Sequence, residues 1–162
     1  MKIFLVIATI MALVLVSGVM AAEQATTATV TVDAFLSVTF TNYPVTFPNM
    51  NPGTTQNAGA SNGYPLTVTI DSVSNVNAIV KTKADAANFL GTTNASLTFP
   101  VSNMEWSITA GGTYADYLTT DATVCASVAP TSACNIYHKL TIPSGQAAGS
   151  YSVGITITAT QV

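Results

Sequence analysis

Alternation of apolar and polar residues is the sequence feature that most restricts how this chain can fold. In residues 28–40 the even-numbered positions are apolar, whereas most odd-numbered positions carry Thr, Asp or Ser. Residues 151–159 alternate in the same way. A period of two turns one face of a strand toward the core and the other toward solvent. The pattern therefore predicts strands, and the sequence from residue 23 onward contains no long amphipathic helix.

The other strands are predicted from shorter alternating runs that are separated by Gly, Pro and Asn. "LTVTIDS" and "NVNAIVKTKA" are expected to pair through the turn "SVSN", and "ADAANFLG" is expected to form one helical turn. The proline-rich residues 43–65 are expected to form loops around one short edge strand. Together these patterns predict an all-β chain, folded as an antiparallel β-sandwich of about seven to nine strands.

The N-terminus has the pattern of a secretory signal. Lys2 precedes an apolar run over residues 3–16, and small residues follow, with Val19 and Ala21 suited to a signal peptidase site. We therefore expect a signal-peptide helix over residues 1–22 and a single β-sandwich domain over residues 23–162, secreted to the cell surface. The alternative is an uncleaved membrane anchor, which would be the only attachment of this protein to a membrane.

The charge balance excludes two classes of partner. The chain has no arginine, and residues 23–162 contain three lysines against seven carboxylates. A protein of this composition cannot neutralise many phosphates, so nucleic-acid binding is not expected. Docking onto anionic lipid is not expected for the same reason.

Cys125 and Cys134 are the only cysteines, and they lie in the short stretch "CASVAPTSAC". In a secreted chain, two cysteines at this spacing predict one disulfide. Two free thiols, or a metal-binding pair assisted by the nearby His138, are the alternatives. The three side chains would fall short of a structural zinc site, which needs four ligands.

Groups for catalysis are scarce, so no enzymatic activity and no cofactor are predicted. The single histidine, His138, shares a strand face with apolar residues, which is typical of a packed histidine. Asp116 and Asp121, in "YADYLTTD", are the best calcium candidates, although they lack the spacing of a calcium loop. Solvated loop carboxylates are the alternative for this pair.

Two further features suggest modification or binding. Asn94, in "NAS", is the one N-glycosylation sequon. Tyr114 and Tyr117 flank Asp116 and are candidates for stacking on a sugar, so a glycan is one possible partner.

Three stretches resemble proteins of known class. "VTFPNMNPGTTQNAGASNGYPLTVTIDSVSNVN" and "PVSNMEWS" resemble secreted archaeal cell-envelope proteins. "IPSGQAAGSYSVGITITA" resembles the closing hairpin of surface β-sandwich domains, through Pro143, Gly145, Ala148, Gly149 and Tyr151. The resemblance implies an extracellular immunoglobulin-like sandwich, and the nearest class is the TasA-like biofilm fibre proteins and archaeal bundling pilins. Subunits of that class join by strand donation, which implies self-association or association with other cell-surface proteins.

Residues 23–32, here called the N-terminal arm, are a candidate donor. Their sequence "EQATTATVTV" has no charge beyond Glu23 and is rich in Thr and Val. Such an arm can add a strand to the open sheet edge of a neighbour. Alternatively, residues 25–32 form the first strand of their own domain. We thus expect a non-catalytic structural protein of the cell surface or biofilm matrix, and the alternative is a secreted module that binds carbohydrate or a surface partner.

Overall fold

Short runs of β-branched and apolar residues form the strands of this protein. The computed structural model describes residues 29–58 and 64–162. The predicted signal peptide and the alternative membrane anchor both lie outside these residues. The described part of the chain contains one 3-10 turn, Val101–Asn103, and twelve strands. The strands are β1 (Val38–Thr41), β2 (Thr55–Asn57), β3 (Leu66–Ile70), β4 (Ala78–Ala84), β5 (Asn88–Gly91), β6 (Thr98–Pro100), β7 (Met104–Ser107), β8 (Ala115–Asp116), β9 (Ala122–Val128), β10 (Ala133–Thr141), β11 (Tyr151–Ser152) and β12 (Ile155–Gln161).

The strands form three antiparallel sheets. Sheet I has the order β1-β3-β10-β7-β8, and β2 also pairs with β10. Sheet II has the order β12-β4-β9, and sheet III has the order β11-β5-β6. All the observed pairings are antiparallel, as the sequence predicts.

The inner faces of these sheets enclose two clusters of buried side chains. One cluster joins Leu66 and Ile136 of sheet I to Val80 of sheet II. The other joins Leu140 of sheet I to Phe99 of sheet III. Packing of sheet I against sheets II and III is consistent with the predicted β-sandwich.

Twelve strands exceed the predicted seven to nine, in part because β5 lies where a helical turn was expected and the alternating run of residues 151–159 is split into β11 and β12. β2 and β3 both pair with β10, and their registers differ, with Asn57 opposite Lys139 but Leu66 opposite Ile136. β4 pairs with β12 and β5 pairs with β11, and the register differs between these two pairs, with Ala84 opposite Ile155 but Gly91 opposite Tyr151. At this second break Asp85 donates its backbone N–H to the Gly154 carbonyl, 2.9 Å away. This second change of register coincides with the break between β11 and β12 and with the break between β4 and β5.

The alternating run over residues 28–40 forms a strand only at its C-terminal end, so the expectation of a strand is wrong for residues 29–37. Residues 29–37 have no strand assignment, and β1 covers only Val38–Thr41. The backbone before β1 is held instead by a loop: Phe35 donates its N–H to the Asn75 side chain, and Ser37 donates its N–H to the Ser74 hydroxyl. Side chains of that loop therefore take the place of a partner strand. The alternating pattern of one segment does not determine whether a second strand lies beside it.

Two further local expectations are wrong. β3 and β4 do not pair: β3 lies between β1 and β10 in sheet I, and β4 lies between β12 and β9 in sheet II. The chain crosses between sheets at the turn "SVSN" because both edges of β3 already have partners. The expected helical turn over "ADAANFLG" is also absent, and β5 occupies its second half.

The chain divides into two compact units, Met1–Val32 and Asp33–Val162, and every strand belongs to the second. Residues 29–32, the described part of the first unit, form no regular secondary structure. Within the described ranges, no helix has the length and apolar character needed to cross a membrane.

Candidate functional site

The sole histidine lies in the core, where strand alternation places it. His138 points inward from β10 together with Ile136 and Leu140, and its side chain is 1% exposed. Its Nε2 atom lies 2.8 Å from the Tyr117 hydroxyl, and the two rings are stacked with centroids 5.9 Å apart. Burial lowers the pKa of His138 to about 4, so the ring is neutral at ordinary pH.

Tyr117 connects this histidine to the opposite sheet. The Thr82 hydroxyl, on β4, donates to the Tyr117 hydroxyl at 3.3 Å. Burial raises the pKa of Tyr117 to about 12, an effect that the hydrogen bond from Thr82 partly offsets. The phenol therefore keeps its proton and can donate it to Nε2 of the neutral His138.

This polar group is a packing element, because a solute cannot reach it while the core stays closed. Thr82, Tyr117 and His138 are each at most 2% exposed. The Nδ1 atom of His138 and the indole nitrogen of Trp106 are buried with no hydrogen-bond partner among the described residues. No carboxylate hydrogen-bonds to the imidazole within those residues.

Cys125 and Cys134 are placed at bonding distance, which is consistent with the predicted disulfide. Their sulfur atoms lie 1.99 Å apart, and their Cα atoms lie 6.2 Å apart. Cys125 is on β9 and Cys134 is on β10, so the bond links sheet II to sheet I.

The calcium candidates Asp116 and Asp121 have different charged neighbours. Asp116, on β8, pairs in register with Glu105, whose carboxylate lies 2.8 Å from the Lys139 ammonium. Asp121 lies 3.9 Å from the Lys83 ammonium. Among the described residues, no group of three or more His, Cys, Asp or Glu side chains could hold a metal ion.

The structure does not support the two-tyrosine sugar platform. Tyr117 is buried in the core, as described above. Tyr114 lies beneath Lys139, whose ammonium is 4.5 Å from the ring centroid. One tyrosine covered by a lysine offers less stacking surface than the expected pair.

Asn94 is exposed in the turn between β5 and β6. Its side-chain oxygen accepts hydrogen bonds from the Ser96 N–H at 3.0 Å and from the Ser96 hydroxyl at 2.6 Å. The sequon is therefore on the surface, and the prediction that Asn94 carries a glycan stays a prediction.

The edge at β12 differs from the other edge of sheet II. Among the described residues, β12 pairs with β4 alone, and its inward residues Ile155 and Ile157 are only half-buried. β9 also pairs only with β4, but its inward residues Val124 and Val128 are buried. The core is therefore incompletely covered on the β12 side.

A cleft opens where this edge begins, at Ile155, and we call it the edge cleft. It lies between residues 43–52 and residues 146–155 and has a volume of about 840 Å³. Its lining also includes core side chains of both sandwich layers, namely Phe89, Phe99, Met104 and Leu140. The sequence predicted loops around one short edge strand in residues 43–65, and β2 is such a strand, but it did not predict that residues 43–52 form a cleft with residues 146–155.

No protein-family model matches this sequence, and no curated protein matches it either. The resemblance to envelope fibre proteins therefore stays a prediction.

Proposed function

We propose that this chain is a secreted, non-catalytic structural protein of the cell surface, with an immunoglobulin-like sandwich, whose subunits join into filaments by strand donation. The supporting observation is an edge without its partner. β12 is paired on one side only among the described residues, while residues 29–32, which carry the same alternation, lie in no strand of their own chain. An unpaired edge is a template for a strand from another chain.

The chemistry of such a contact suits this composition. Backbone hydrogen bonds along the donated strand supply affinity, and alternate side chains supply specificity, so few charged groups are needed. Each subunit would donate one arm and accept another. Because this contact uses different surfaces of the two subunits, it need not close and can generate a filament.

Electron microscopy of two purified chains tests this proposal. The chain of residues 23–162 is expected to form ordered fibres, and the chain of residues 33–162 is expected to form none. Circular dichroism of both chains checks that the shorter one keeps its strand content. Fibres that persist in a folded chain without the arm would overturn strand donation by this segment.

A single substitution in the full arm gives a sharper comparison. Val30→Pro removes a backbone donor and is expected to abolish fibres, because proline cannot join a central strand. Glu23→Gln changes the arm at its start and is expected to assemble normally. Loss of fibres in both variants, or normal fibres in both variants, would contradict the proposal.

A further inference from the structure

We infer that the edge cleft is the acceptor site for the N-terminal arm of a second copy of this chain, an assignment that rests on the proposed function. The arm would lie as an extended strand between residues 43–50 and the free edge of β11 and β12. Three features of the edge cleft support this assignment: unpaired backbone on both walls, an apolar floor, and a lining without charged side chains.

Both walls of the edge cleft leave backbone groups without partners. Among the described residues, no backbone group from Tyr43 to Met50 hydrogen-bonds to another backbone group. On the other wall, β11 and β12 pair only with β5 and β4, again within the described ranges. A strand between the walls would hydrogen-bond to backbone groups on either side. A ligand that binds through side chains alone would satisfy fewer of these backbone groups.

The floor of the edge cleft suits small apolar side chains at alternate positions. Phe89 and Phe99 stack with ring centroids 4.6 Å apart, and Tyr151 meets Phe99 edge-on at 5.1 Å. The N-terminal arm carries Ala28, Val30 and Val32 on one face of its alternation. β-Branched and small residues of this kind pack well on aromatic rings.

The arm matches the cleft in charge, and it matches in length the sheet edge that begins in the cleft. None of the described residues that line the cleft is acidic or basic, and residues 24–32 contain no charged side chain. The arm has about ten residues, which span roughly 33 Å as a strand. The edge formed by β11 and β12 has a similar length, from Tyr151 to Gln161, and its first part, as far as Ile155, lines the cleft.

Hydrogen bonds hold the wall of residues 146–155 in place and anchor the chain just after the other wall. The Tyr151 hydroxyl donates to the Ala147 carbonyl and accepts from Gln146 Nε2, each at 2.7 Å. Just after the opposite wall, Gly53 donates its N–H to the Ile142 carbonyl at 2.8 Å, and Ile142 donates its N–H to the Thr54 carbonyl at 2.9 Å. Because these segments are already ordered, binding a strand loses less conformational entropy.

Disulfide trapping with chains of residues 23–162 tests the assignment. A chain with Val30→Cys is mixed with a chain with Val153→Cys, which places one new thiol in the arm and one in the edge cleft. We expect a disulfide-linked pair of chains. The matched control replaces the cleft thiol with Thr120→Cys, an exposed position outside the cleft, and should give at least tenfold less product.

A chain that carries both Val30→Cys and Val153→Cys identifies the source of the arm. Bonds between chains, seen as a ladder of multimers, would support the assignment to a second copy. A bond within one chain would overturn it, because the arm would then occupy the cleft of its own subunit.

A charge placed in the cleft separates this inference from the proposed function. Ala148→Asp, at an exposed residue that lines the cleft, is expected to reduce fibre yield at least tenfold, whereas Ala126→Asp, exposed on β9, is expected to change little. If both variants assemble and no trapping occurs, the acceptor assignment fails while arm-dependent fibres still support strand donation. If fibres do not need the arm, both proposals fail.

Discussion

Three side chains place polar atoms in the middle of an apolar core. His138, Tyr117 and Thr82 hydrogen-bond to one another between sheets I and II. Their buried positions follow from strand alternation, and the sequence alone indicates that His138 faces inward. The contact with Tyr117 could not be foreseen, because it depends on which strands become neighbours.

His138 should make the fold sensitive to mild acid. Its pKa is about 4 in the folded chain against 6.5 for a free histidine, because burial disfavours the charged ring. As pH falls below 6.5 the unfolded chain binds a proton that the folded chain refuses, so stability is lost until about pH 4 and the loss then levels off. The total is about 3 kcal/mol.

Urea unfolding between pH 8 and pH 4 measures this loss, and NMR of the one histidine assigns it. The His138 ring signals should stay in the neutral form down to about pH 5 in the folded protein. A titration midpoint near the ordinary value of 6.5 would contradict burial of the ring.

The Tyr117 hydroxyl should contribute to stability through its two hydrogen bonds. Tyr117→Phe leaves Nε2 of His138 without its donor and removes one of the two acceptors of the Thr82 hydroxyl, the other being the Thr156 carbonyl at 3.4 Å. We expect a loss of about 1–3 kcal/mol in the free energy of unfolding, measured by urea titration. Tyr114→Phe is the matched control and should change stability by less than about 0.5 kcal/mol. Equal losses of stability in the two variants would show that the hydrogen bonds of the Tyr117 hydroxyl do not stabilise the fold.

At the scale of elements, the alternating pattern predicted β3 and β10, each of which has a neighbouring strand on both edges. β3 and β10 bury alternate residues as expected. The same periodicity failed over residues 29–37, because a strand needs a partner edge and the pattern of one segment does not supply it. It also failed to show the edge cleft, whose walls come from residues about a hundred positions apart and meet only after folding.

The link between β9 and β10 should stabilise the fold by restricting the unfolded chain. Cys125 and Cys134 are nine positions apart, so the closed loop is short. Chain entropy predicts that reduction lowers the free energy of unfolding by about 2–3 kcal/mol. Urea titration with and without a reductant measures the difference. The Cys125→Ala/Cys134→Ala variant is the control and should be insensitive to the reductant; a reductant effect in that variant would point to another cause.

At the scale of the whole molecule, the proposed assembly joins subunits through uncharged surfaces. The chain has a formal net charge of −3, yet the N-terminal arm beyond Glu23 and the described lining of the edge cleft contain no acidic or basic residue. Affinity between subunits should then come from backbone pairing and apolar burial, which salt screens little.

Fibre formation should therefore depend weakly on ionic strength. Between about 0.05 M and about 0.5 M sodium chloride, the subunit concentration needed for fibres should change by less than about threefold. Light scattering and pelleting measure that concentration. A change of tenfold or more would indicate that exposed charges such as Lys83 and Asp121 form the contact instead.

The bond between Cys125 and Cys134 has a mechanical consequence for such a fibre. A pull on the fibre would enter each subunit through the chain before β1, in sheet I, and leave through the strand bound beside β12, in sheet II. The load would therefore act to peel one layer of the sandwich from the other. A covalent link between the two layers resists that motion in a way that apolar packing alone cannot, so reduced fibres should break under a smaller force than oxidised ones.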